Sequence, residues 1–309
     1  VASGTLWPVL GVAVKLCVAV SLLFGAAISV RSASSQVEHA QRRSGLPSVL
    51  HFVDGSRTIR LPGGRRIARP VTTYLWYPPA ASGSGPWPLV VFGHGFATTP
   101  SRYRRLLRAW AAAGYLVAAP VFPLENANAP GGPDESDIVN QPRDMSFVIT
   151  QLLAASASAG SPLHGLVERS RIAVAGQSDG AETAFATAYE GPWHDRRVRA
   201  AVILSGAELG GHIRLVMHTP PLLAVQGTAD RINPAVYSLD LFHAVRRPKF
   251  LLLLRGAGHL PPYTKPGSRL AAVERVSIAF LDHYLRGGRL GAIAHEAAVF
   301  RADVLTSEP

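Results

Sequence analysis

One local pattern constrains the fold of this chain more than any other. The apolar run Ile172-Ala173-Val174-Ala175 passes at once into Gly176-Gln177-Ser178-Asp179-Gly180, and a small-residue helical pattern follows from Ala181 to Tyr189. A strand that enters a helix through so short a turn must reverse sharply. Glycines two positions either side of Ser178 leave space for the chain to double back, and the serine between them is held in a strained backbone above the carboxyl end of its strand. The start of the following helix adds N–H groups and positive potential beside it. Gly-x-Ser-x-Gly is a common match by itself, and its place at a strand-to-helix turn is what makes it specific.

Elsewhere, short apolar runs alternate with longer helical patterns, the signature of a mostly parallel sheet with crossover helices. The expected strands are 72–77, antiparallel at the sheet edge, then 89–92, 115–119, 171–175, 200–204, 222–226 and 250–254. Helices are expected over 101–113, 143–157 and 181–189, and near 234–245 and 268–285. The Pro-, Gly-, Asn- and Asp-rich segment 122–141 reads as a surface loop. These elements place one α/β domain over residues 55–290, after a linker over 35–54 and before a C-terminal extension over 291–309. The segment 205–221 is too short for a large helical lid, so little or no lid is expected.

A serine hydroxyl is a weak nucleophile at neutral pH, so it needs a general base, and the base needs a group that fixes its tautomer. Among eleven histidines, His259 stands apart because Arg255-Gly256-Ala257-Gly258-His259 directly follows the strand 250–254. That puts it at the same sheet edge as Ser178. Asp230 follows the strand 222–226 through Gly227-Thr228-Ala229, again at the carboxyl edge where open α/β sheets bind ligands. Gly93-His94-Gly95-Phe96 ends the strand 89–92, where a backbone N–H can face a developing alkoxide. Phe96 and Asp179 are therefore the candidate oxyanion-hole donors, and loss of one such donor typically costs about 2.7 to 4 kcal/mol. His94 reads as a loop-fixing hydrogen bonder. A carboxylate beside an oxyanion would oppose it, so the Asp179 side chain is expected to turn toward the helix start or an arginine. Trp193, soon after the nucleophile helix, and Tyr263, soon after His259, are candidate substrate contacts.

Residues 16–30 form an uncharged apolar run between Lys15 and the stretch Arg31-Ser32-Ala33-Ser34-Ser35, the order of a secretory signal. If the run is counted back to Leu6 as a membrane span, Lys15 falls near its middle, at a cost of about 2.5 to 3.5 kcal/mol. Residues 1–34 are accordingly expected to be a signal peptide, with an uncleaved membrane anchor as the alternative. The sole cysteine, Cys17, lies in this run, which excludes a disulfide within the chain and a cysteine-rich metal site. Hydrophobic residues at 48% and charged residues at 17% exclude disorder as a global state. A net charge of +11 raises nucleic acid or an anionic surface as a partner. The arginines are nonetheless dispersed, as in Arg65-Arg66, Arg102-Arg104-Arg105 and Arg196-Arg197-Arg199, with no basic-aromatic motif, so no nucleic-acid partner is expected. Asp134, Glu135 and Asp137 lack the EF-hand pattern, and neither a metal nor a cofactor is expected.

The chain order Ser178, Asp230, His259 is that of one hydrolase fold, and over residues 55–290 the sequence resembles the α/β-hydrolases. The resemblance implies a mostly parallel central sheet flanked by helices. Within that superfamily, the leader, the His94-Gly95-Phe96 turn, the elbow at Ser178, Gly227-Thr228-Ala229-Asp230 and Gly258-His259 resemble bacterial exported serine esterases. The groups concerned are the dienelactone-hydrolase-like, platelet-activating-factor-acetylhydrolase-like and cutinase or polyester-hydrolase-like enzymes. Two departures stand out. The disulfide common among cutinase-like enzymes has no second cysteine here, and Gln177 and Asp179 replace the more usual His and Met or Gly around the nucleophile. The resemblance implies an exported serine carboxylic-ester hydrolase that works through an acyl-enzyme on short-chain esters, extending to polyesters. An amide- or peptide-cleaving hydrolase on the same triad and a catalytically silent extracytoplasmic binding protein are the alternatives. The expected partner is an ester substrate, small molecule or polymer, with membrane contact only through the N-terminal segment if it is uncleaved.

Overall fold

Besides Val1, the computed structural model describes residues 46–209, 214–300 and 303–309. The expected signal or anchor over 1–34 and the first part of the expected linker lie outside the described residues. The first half of the chain gives β1 (Ser48–Arg60), β2 (Arg66–Trp76), β3 (Trp87–Gly93), α1 (Arg104–Ala112), β4 (Leu116–Pro120) and α2 (Gln141–Ala157). Next come β5 (Val167–Gln177), α3 (Asp179–Tyr189), β6 (Val198–Leu204), β7 (Leu222–Gly227), α4 (Ala235–Ala244) and β8 (Lys249–Leu254). The single turn α5 (Pro261–Thr264), α6 (Ser268–Arg286), α7 (Gly291–Val299) and β9 (Asp303–Glu308) complete the order.

The nine strands form one sheet in the order β1-β2-β4-β3-β5-β6-β7-β8-β9. From β4 to β8 all neighbours run parallel, while β1, β2 and β9 are antiparallel additions at the two edges. Parallel strands joined by helices are covered on both faces, which is why they read as continuous apolar runs. In β3, Leu89 and Val91 face the helices α2, α3 and α4, whereas Val90 and Phe92 face α1, α6 and α7. Each such side chain stabilises the fold by roughly 1.5 to 3 kcal/mol on full burial. The helices answer the sheet with amphipathic faces. On α1, Leu106, Leu107 and Trp110 are buried and Arg104, Arg105 and Arg108 exposed, and Trp110 Nε1 donates to Ser277 Oγ of α6 at 2.8 Å.

Three expectations are corrected. The strand expected at the sheet edge is β2, which lies one place in, because residues 48–54, read as linker, begin the longer edge strand β1. Its pairing with β2 shifts register between Asp54 and Thr58, so its alternation is broken in the middle. The extension over 291–309 supplies α7 and the opposite edge strand β9. Third, the segment expected as a surface loop buries Phe122, Glu125, Asn126 and Asp137. Its far end is pinned by Arg69 of β2, only 2% exposed, which donates through Nη1 and Nη2 to Asp137 at 2.9 and 2.6 Å and through Nε to Asp144 at 2.7 Å. Asp137 is thereby committed to an arginine. Among the described residues of 205–221 the regular structure is confined to one bridge, Glu190 with Leu215. No described helix is long and apolar enough to cross a membrane.

The sheet and α3 meet at a contact that admits no side chain. A Cβ on Gly180 would lie 2.2 Å from Gly93 O, and one on Gly176 would lie 1.9 Å from Gly180 O. Gly180→Ala should therefore lower stability by at least about 2 kcal/mol in denaturant unfolding, since overpacking forces backbone shifts. Gly160→Ala, with nothing within 4 Å of its Cβ, serves as the control and should stay within about 0.5 kcal/mol of wild type. Equal midpoints for the two variants would show that the contact can relax and does not fix α3.

Candidate active site

β5 ends at Gln177 and α3 begins at Asp179, so Ser178 alone makes the turn, with φ 57° and ψ −129°. Positive φ is rare for a residue with a Cβ and costs on the order of 1 to 3 kcal/mol. The surroundings hold it there. Ser178 N–H donates to Leu204 O of β6 at 3.1 Å, and Ser178 O accepts from Ala181 N–H and Glu182 N–H at 2.7 and 3.0 Å. The side chain is left at the carboxyl edge of the sheet, between the ends of β3, β6 and β8.

The structure brings Ser178, His259 and Asp230 together. Ser178 Oγ lies 2.9 Å from His259 Nε2, and His259 Nδ1 lies 2.8 Å from Asp230 Oδ2. With its side chain fully buried, Asp230 needs donors, and Oδ1 accepts from Ile232 N–H and Asn233 N–H, each at 3.0 Å. Gln226 of β7 adds a longer bond to Oδ2 at 3.3 Å. Asp230 Oδ2 accepts a hydrogen bond from His259 Nδ1–H, which leaves His259 Nε2 as the acceptor for the Ser178 hydroxyl.

A second layer holds the histidine from behind. Gly95 N–H donates to Tyr103 Oη at 3.2 Å, Tyr103 Oη–H donates to Gln177 Oε1 at 2.6 Å, and Gln177 Nε2 donates to His259 O at 3.3 Å. In the sequence Gln177 stands out only as a departure beside the serine, and Tyr103 carries no signal at all. Gln226 and Asn233 were also missed, although both lie within a few residues of Asp230.

Phe96 lies in the turn that follows β3, and Asp179 opens α3 directly after Ser178. Neither N–H donates to a protein acceptor among the described residues, which leaves both free for a substrate oxygen. His94 keeps the Phe96 turn in shape. Its Nδ1–H donates to Gly95 O at 2.9 Å and its Nε2 accepts from Phe122 N–H at 3.1 Å, and burial pulls its pKa down to about 4, so it remains neutral.

Other expected placements are corrected. The Asp179 side chain meets no arginine among the described residues: Oδ1 lies 3.2 Å from Ser178 Oγ, a longer approach than the 2.9 Å to His259 Nε2, and Oδ2 has no donor among the described residues. Tyr263 is fully buried, its hydroxyl 2.8 Å from Ser205 Oγ and donating to Val225 O at 3.1 Å, so it cannot touch substrate. Trp193 follows the C-terminal end of α3, with its N–H on Glu190 O at 3.0 Å. The length of α3, at 1.5 Å rise per residue, carries it away from Ser178 toward the start of β6. Among the described residues no group of three or more His, Cys, Asp and Glu side chains could hold a metal ion.

No curated protein matches this chain. Among solved structures, a ferulic acid esterase from Streptomyces cinnamoneus shares the fold, with a TM-score of 0.62 at 21% identity over 84% of this chain and 96% of that one. A family model described as Chlorophyllase matches residues 64–233, from the start of β2 past the elbow to Asp230. That match covers more than half of the sequence and two of the three triad residues, and the chain belongs to the chlorophyllase family, with an α/β-hydrolase fold.

Proposed function

We propose that the protein is a serine carboxylic-ester hydrolase that works through an acyl-enzyme on Ser178. The observation that carries this reading is the unbroken path from Ser178 Oγ through His259 to the buried Asp230, with steps of 2.9 and 2.8 Å. Ser178 Oγ attacks the ester carbonyl carbon as His259 Nε2 takes its proton. Asp230 stabilises the imidazolium, and the N–H groups of Phe96 and Asp179 receive the carbonyl oxygen as it becomes negative. Collapse expels the alcohol, which takes the proton from His259, and leaves the acyl group on Ser178. Water, deprotonated by the same histidine, then releases the acid. Family membership and the fold shared with a feruloyl-type esterase support esters over amides as the substrate class.

Short-chain soluble esters are the leading substrates in this reading. The described part of 205–221 carries no helix that could act as a lid, which favours an open cleft. A polyester substrate is the second reading. It is favoured by Phe96, which is 40% exposed beside the oxyanion turn, and it has lost the support that Trp193 and Tyr263 would have given. Export is part of the proposal and rests on the residue pattern of 1–34.

Ser178→Ala should lower kcat/KM on p-nitrophenyl esters by at least about 10⁴-fold while the protein still unfolds cooperatively, because the covalent step is lost and the scaffold is not. A rate near wild type would remove Ser178 as the nucleophile. On a substrate panel, acetyl to octanoyl esters should be turned over and the matching anilides should not; comparable anilide rates would favour the amide-cleaving alternative. Incubation with an amorphous polyester film separates the two ester readings. Soluble monomers released by wild type but not by Ser178→Ala support the polymer, and brisk turnover of soluble esters with no release excludes it.

A further inference from the structure

Glu125 is a fully buried carboxyl that the proposed chemistry leaves unused. Neither of its oxygens meets an N–H or O–H donor among the described residues, and the same is true of Oδ2 of Asp179, itself 7% exposed. Burial first, and then the neighbouring Asp179 carboxyl, push Glu125 up to about 10. Two ionised carboxylates in contact would repel and set acceptor against acceptor. A proton on Glu125 turns the same contact into a charge-assisted O–H···O⁻ bond.

The position of Glu125 gives that bond a consequence. Its main-chain carbonyl accepts from Ala97 N–H at 3.0 Å, one residue beyond Phe96, and two residues on, Ala127 N–H donates to Thr98 O at 2.9 Å. Its carboxyl couples electrostatically to that of Asp179, the first residue of α3, and the oxygens of Glu125 and Asp179 Oδ2 are buried with no donor among the described residues. Phe96 and Asp179 are the two oxyanion donors, and Glu125 is bonded to the segment that carries the first and coupled to the second.

We propose that Glu125 is a positioning residue for the oxyanion hole: as a neutral carboxylic acid it donates to Asp179 Oδ2 and clamps the Phe96 turn against the start of α3. The pair then carries a single negative charge, drawn toward Glu125 and away from the developing oxyanion. This assignment rests on the esterase reading above. The ionisable groups that face Glu125 are Asp179 of α3 and, in the turn before α2, Asp137 and Glu135, and each of them disfavours its ionised form. Glu182 of α3 shares the neighbourhood and is pushed up to about 8, chiefly by burial and then by Asp179. Tyr103 is pushed up to about 12, above the range that matters.

The test is kcat and KM on one soluble ester from pH 7 to 11 for wild type, Glu125→Gln, Glu125→Leu and Glu182→Gln, with thermal unfolding of each. Gln keeps a donor for Asp179 and should hold kcat at pH 8 within about threefold of wild type, whereas Leu should lower kcat at least about tenfold with KM within about twofold. Wild type should lose activity as Glu125 ionises near pH 10. That alkaline limb should vanish in Glu125→Gln and persist in Glu182→Gln. A wild-type kcat in Glu125→Leu, or a wild-type alkaline limb in Glu125→Gln, overturns the assignment. Should the Leu variant fail to fold, the Gln profile decides alone. If wild type turns over no ester, the esterase reading falls and takes this one with it. If wild type and Glu182→Gln turn over and only the Glu125 results are contrary, this one falls by itself.

Discussion

The site exists because α3 touches β3 and β5 backbone to backbone. Gly93, Gly176 and Gly180 meet at distances where a single methyl group would overlap a carbonyl. This contact does two things. It holds the elbow at which Ser178 takes positive φ, and it sets the start of α3 against the end of β3, from which the turn to Phe96 leaves. Gly95 continues the pattern, because a Cβ there would lie 3.1 Å from both Ser178 Cβ and Gln177 Oε1. The interior of α3 suits the same demand for space. Nearly all of its residues are buried, and most are Gly, Ala or Thr.

The electrostatics around the serine run against those of the whole chain. A chain with a net charge of +11 gathers Asp179, Glu125 and Glu182 around the start of α3. Buried carboxyls without cationic partners are costly in their charged form, and burial with mutual repulsion pushes Glu125 and Glu182 up to about 10 and about 8. Asp230 solves the same problem differently, by collecting backbone donors and the His259 imidazole. Asp230 is thus tied to the His259 imidazole and to two main-chain donors, whereas the Glu125 carboxyl has no donor among the described residues.

Ser178, Asp230 and His259 were legible in the sequence because each follows an apolar run, and in a parallel sheet the ends of such runs share one edge. The turn from Gly93 to Phe96 could be placed at that edge for the same reason. What stayed hidden depends on how polar segments fold back. β1 escaped notice because Gly55 and the register shift interrupt its alternation, and β9 because it pairs from beyond the helical part of the chain. Glu125 sits in a stretch whose Pro, Gly, Asn and Asp content reads as surface, yet the loop packs onto α3 and buries it. Tyr263 follows the triad histidine by four residues, but the single turn of α5 points it inward to Ser205 and Val225. Sequence proximity to a catalytic residue says little about which way a side chain faces.

The central claim is that Ser178 carries the acyl group between the two halves of the reaction. Acid-quenched mixing of the protein with excess p-nitrophenyl acetate, followed by peptide mass spectrometry, tests it most directly. The account predicts a burst of about one p-nitrophenol per protein molecule and a single acetyl group on the peptide that contains Ser178, formed during that burst. Steady turnover with no acetylated peptide at any quench time, or with the acetyl group on a different residue, would contradict it.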